Sequence, residues 1–190
     1  MELSVRYQGK ETGALQIEKQ GLYYHFDADC GIRPTVPLRL YAVSGWHSRA
    51  IGVVSQDGTL HRRFSAHEAE PLPQFAVLGS AEGGFLPWCG EVGGEQIEDG
   101  YLKTDGEEAL LAMPVSDGGA VPLIAYAAQM QSRVICGRAC LVLALQDGAP
   151  LPLPEQQFED EAAAEEDITM PVQNADVPFF PDEPPFITES

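Results

Sequence analysis

Long apolar runs are missing from this 190-residue chain. The longest, Ala139 to Leu145, is far short of the ~18 residues that a membrane-spanning helix needs. The start, Met-Glu-Leu-Ser-Val-Arg-Tyr, lacks the basic-then-apolar pattern of a secretory signal. Cysteines are few: Cys30, Cys89, Cys136 and Cys140. Without a secretory signal they read as reduced thiols, and the expected location is the cytoplasm. Basic residues are also scarce, with 11 Lys and Arg against 29 Asp and Glu, for a net charge of −18. Phosphate backbones repel such a chain, so general nucleic-acid binding is disfavoured. A phosphate-binding loop, a nucleophile elbow, H-E-x-x-H and a dinucleotide fingerprint are all absent. No cofactor is implied.

The negative charge is unevenly spread. Residues 1–72 hold eight basic and eight acidic side chains, residues 73–150 three and ten, and residues 151–190 none and eleven. This asymmetry suggests three parts: a β module over 1–72, a second over 73–154 with one short helix, and a tail over 155–190. The tail carries too much like charge and too little apolar surface for a packed core, so it reads as disordered.

What is abundant is turn chemistry. Five Asp-Gly dipeptides occur within 150 residues, and β-rich segments separate them. The expected class is mainly β, an antiparallel hairpin-rich sandwich or barrel, or two small packed β modules. Leu38 to Phe64 reads as three strands joined by two turns, the second being Gln56-Asp57-Gly58-Thr59. In the clearest strand Leu22, Tyr24, Phe26, Ala28 and Cys30 share one face, and Tyr23, His25, Asp27 and Asp29 share the other. Ser65-Ala66-His67-Glu68 has capping-box spacing, and Pro71 and Pro73 end the first module. Cys89 to Gly94 reads as a glycine-rich loop, and Pro122 to Met130 as a short helix. AIGVVSQDGTL (50–60) and CLVLALQDGAPL (140–151) look like copies of one unit, either a duplicated module or the ordinary reuse of Asp-Gly turns.

Four constellations bear on function. His25, Asp27 and Asp29 alternate along one strand face, where they supply ligand types for a divalent metal; the same pattern suits a solvated face. Trp46, His47, Arg49, His61, Arg62 and Arg63 cluster around one hairpin and offer aromatic and cationic contacts to a partner; the same residues suit an ordinary charged sheet surface. Alternation sends Arg62 and Arg63 to opposite faces. Trp88-Cys89-Gly90 starts like a dithiol active site, but Val92 stands where the second cysteine belongs. Cys136-Gly-Arg-Ala-Cys140 lacks zinc-knuckle spacing, though Arg138 is positioned to lower a neighbouring thiol's pKa.

In the tail, Asp176-Val-Pro-Phe179-Phe180 and Asp182-Glu-Pro-Pro-Phe186 each set acids ahead of proline and phenylalanine. This pattern resembles, over about ten residues, the acidic tip of bacterial single-stranded-DNA-binding proteins. In that family the phenylalanine is terminal and its carboxylate joins the recognition, whereas Ile187 to Ser190 follow here. An acidic strip with aromatic anchors can dock Phe179, Phe180 and Phe186 into a basic groove of a partner; the alternatives are a solubilising tail and docking on the basic hairpin of its own chain. The sequence as a whole favours a non-enzymatic protein- or peptide-interaction module. The alternatives are a small metal- or ligand-dependent enzyme on the His25/Asp27/Asp29 face and a structural assembly component pairing through sheet edges.

Overall fold

The computed structural model describes residues 1–106, 108–115 and 120–151. The tail, with Phe179, Phe180 and Phe186, and the Asp117-Gly118 turn lie outside the described residues. The fold is mainly β and hairpin-rich, and one compact unit, Met1–Pro154, contains two sheets. No described helix is long and apolar enough to cross a membrane.

Seven strands make the first sheet: β1 (Glu2–Tyr7), β2 (Lys10–Gln20), β3 (Tyr23–Asp29), β4 (Arg39–Ser44), β5 (His47–Val53), β6 (Thr59–Ser65) and β7 (Phe75–Gly79). Their spatial order is β5-β4-β7-β1-β2-β3-β6, and only the β1–β7 pair is parallel. The end strands β5 and β6 curl back toward each other, which makes the sheet nearly a barrel. A Cβ on Gly52 of β5 would lie 2.9 Å from both Leu60 and Arg62 of β6. The alternation read in β3 is the alternation seen: Tyr24, Phe26, Ala28 and Cys30 are buried inside with Val5, Leu15, Leu40 and Leu78. Leu22 departs from it, standing before the strand and 79% exposed.

The turn at 56–59 was expected to close a hairpin, and it does not. Ser55 and Thr59 bond across it, but β5 pairs only with β4 and β6 only with β3. The Gly58 carbonyl instead accepts from Cys30 N at 2.9 Å, which anchors the turn to the end of β3. The capping box forms as spaced: Ser65 Oγ accepts from Glu68 N, the Glu68 carboxylate accepts from Ser65 N, and α1 (Ala66–Ala69) follows.

The second sheet contains β8 (Leu86–Val92), β9 (Glu95–Asp105), β10 (Glu108–Pro114), β11 (Gln131–Ile135), β12 (Arg138–Gln146) and the short β13 (Ala149–Pro150). Its order is β11-β12-β10-β9-β8, with β13 on β12. Residues 89–92, expected in a loop, belong to β8, and the turn is confined to Gly93-Gly94. β9 runs straight through Asp99-Gly100. Pro122 to Met130, expected to hold a short helix, carries a 3-10 helix, Ile124–Gln129.

Outward-facing Val43 of β4 and Val77 of β7 share a core with Trp88, Ile97, Leu102, Leu111, Met113 and Leu143 of the second sheet. The sheets also bond directly: Ser48 Oγ donates to the Pro87 carbonyl at 2.7 Å, and Trp88 Nε1 to the Gly45 carbonyl at 2.9 Å.

Candidate functional site

Antiparallel pairing of β3 with β6 sets the outer face of the barrel. It places His25 opposite Arg63, Asp27 opposite His61, and Asp29 opposite Thr59. Each member of the expected metal set is committed differently. Asp27 Oδ1 lies 2.7 Å from His61 Nδ1, and Asp29 Oδ1 accepts from Gly31 N at 3.0 Å. His25 stands between Glu18 of β2 and Arg63 of β6. Among the described residues no three His, Cys, Asp or Glu side chains group as a metal centre. A shallow groove of about 250 Å³ runs along this face, lined by Gln16, Asp27, Asp29, Thr59 and His61.

The Trp46–Arg63 cluster divides into three. His61 and Arg63 are on the outer face, where the Arg63 guanidinium lies 4.5 Å from the centre of the Tyr23 ring. Arg62 points to the other side, at the seam with Gly52. Arg49 donates to the Glu68 carbonyl and lies 5.4 Å over the Phe64 ring, closing the same seam. Trp46 is not an exposed anchor. It stacks on Trp88 at 5.3 Å and 12°, against Gly148, and so joins the two sheets.

A second concavity was not foreseen. It is a cleft of about 210 Å³ at the junction of the sheets, walled by Val36, Leu38, Val77, Pro87, Tyr101 and Arg138. At its polar end Arg138 donates to Asp99 Oδ2 at 2.7 Å, with the two side chains 29% and 24% exposed. Burial opposes the arginine's charge, but the hydrogen bond and charge of Asp99 outweigh it and raise the pKa. Cys136 lines the same cleft, and its thiol donates to the Ser80 carbonyl at 3.3 Å.

Arg138 does not activate this thiol as its spacing suggested. Burial, followed by the Glu82 carboxylate, pushes the Cys136 pKa up despite Tyr101 and Arg138. Burial also raises Cys140, and it takes Cys30 and Cys89 up to about 11. All four thiols are free. Next to the cleft wall, the Tyr41 hydroxyl is buried without a hydrogen-bond partner among the described residues. The sequence carried little signal for this site, because Asp99 follows the exposed Glu98 and its pairing with Arg138 spans 39 residues.

Comparison with known proteins adds little. No family model matches the chain, and no solved structure does. A curated protein, Protein suppressor of hairy wing from Drosophila ananassae, is 28% identical over 135 residues. The match takes in 71% of this chain and 14% of that protein's length.

Proposed function

We propose that the chain is a non-enzymatic cytoplasmic module that binds a protein or peptide across the outer face of β3 and β6. The observation that carries this reading is Arg63, stacked on Tyr23 with no ion pair among the described residues. An arginine fixed on a ring has little rotamer entropy left to lose and keeps its N–H edge for a carboxylate. Leu22, next to Tyr23 in the chain, adds exposed apolar surface, and His25 and His61 flank the arginine. The acidic tail, with Phe179, Phe180 and Phe186, is a second binding element in this proposal.

Affinity capture from source-cell lysate tests the reading, using the full chain, Arg63→Glu and a chain ending at 154. Loss of a partner with Arg63→Glu supports the β3–β6 face, and loss only with the shortened chain moves recognition to the tail. If neither change alters what is captured, the proposal fails.

One observation favours an assembly component instead. Val115, just past the end of β10, lies beside Ala139 of β12, which pairs with Val134 of the edge strand β11, and Val134 is 72% exposed. Such an edge pairs readily with another strand. A concentration-dependent dimer abolished by Val134→Lys would support that reading.

A further inference from the structure

We propose that the cleft between the two sheets binds a small neutral molecule, a single planar ring carrying a primary amide, held by Arg138 and Asp99. This site is separate from the β3–β6 face and does not depend on the interaction reading.

Size is the first constraint. An engineered cavity of about 150 Å³ holds one benzene ring, so a cleft of about 210 Å³ suits one ring with a short polar substituent. Chemistry of the walls is the second. Val36, Leu38, Val77 and Pro87 offer an apolar bed, and the polar groups concentrate around Asp99, Tyr101, Cys136 and Arg138. Gln8 and Ser80 add further polar wall, so the cleft is mixed, with an apolar bed for a ring and convergent polar groups that can orient a polar substituent.

Charge decides between ligand classes. Arg138 is already neutralised by Asp99 at 2.7 Å. A carboxylate ligand would bring an uncompensated charge into a half-buried space, which is costly. A primary amide adds none. Its carbonyl accepts from the remaining Arg138 N–H groups, and its N–H₂ donates to the Asp99 carboxylate.

The test uses the full-length protein with nicotinamide and nicotinate, matched rings that differ in charge. Cys136 is the cysteine that lines the cleft, whereas Cys30, Cys89 and Cys140 are buried, so protection of Cys136 from iodoacetamide reports occupancy by mass spectrometry. Nicotinamide is expected to protect Cys136 at millimolar concentration or below, at least tenfold more effectively than nicotinate. In Asp99→Asn, which leaves the Arg138 charge unbalanced, the order should reverse. Val36→Trp fills the mouth of the cleft from a residue that is 59% exposed, and should abolish nicotinamide binding without unfolding the chain; because the indole also screens Cys136, binding to this variant and to the wild type is read by ligand-observed NMR. No protection by nicotinamide in the wild type, equal protection by both probes, or nicotinamide binding that persists in Val36→Trp would overturn the proposal.

Discussion

At the scale of single residues, the tryptophans show how far a correct motif can be from its role. Trp46 sits at the tip of the β4–β5 hairpin, a position typical of recognition surfaces, yet its ring is spent on Trp88 and Gly148. Gly148 has φ of 75°, and a Cβ there would come within 2.6 Å of Trp46 Nε1. Two costs therefore combine in Gly148→Ala, a strained backbone and a displaced indole. We expect a loss of about 2 kcal/mol in urea unfolding. Trp46→Ala should cost about 2–3 kcal/mol, toward the low end for an aromatic truncation because the ring is only half-buried. If Trp46→Ala leaves stability unchanged, the indole is not joining the sheets.

At the scale of elements, local chemistry was legible and strand partnership was not. The β3 alternation and the Ser65–Glu68 capping box could be read because each depends on neighbours within a few residues. The turn at 56–59 was recognisable for the same reason, but its chemistry does not say which strands its flanks join. Long-range pairing sends β5 to β4 and β6 to β3. Residues 89–94 looked like a loop because Gly90, Gly93 and Gly94 count against a strand. In place, Gly90 lies against the Trp88 ring, where a side chain would collide.

The 56–59 turn also makes a pH prediction. Asp57 accepts from Ser55 Oγ, from Thr59 Oγ1 at 2.8 Å and from Thr59 N at 3.1 Å. The Ser55 bond, then those from Thr59, lower its pKa from the usual 3.8 to about 2. A folded-state value below the unfolded one means that folding favours the carboxylate. Its contribution is fully present above pH 4 and is lost as pH falls toward 2. Asp57→Asn should therefore be less stable than wild type at pH 6 and should lose less between pH 4 and 2. Parallel denaturation curves at these pH values check it, and equal pH slopes for both proteins would contradict it.

At the scale of the whole molecule, the open question in the sequence was whether two β segments share one core. Binary patterning could not answer it, because a strand buried on both faces and one buried on a single face differ only in their partners. β4 and β7 are the doubly buried strands. Leu40, Ala42, Ala76 and Leu78 face the barrel, while Val43 and Val77 face the second sheet. The cleft holding Arg138 and Asp99 exists only because the sheets meet there, so it was equally invisible in either half of the sequence. A shared core ties the stability of the two sheets together. Unfolding in urea should then be a single transition, with tryptophan fluorescence, which reports the junction, and far-UV circular dichroism, which reports both sheets, giving coincident curves. Val77→Ala removes buried surface from that junction alone. It should lower the midpoint seen by both probes equally, by about 2 kcal/mol in stability. If fluorescence shifts while the circular dichroism transition splits in two, the sheets fold independently and the junction is only a contact between them.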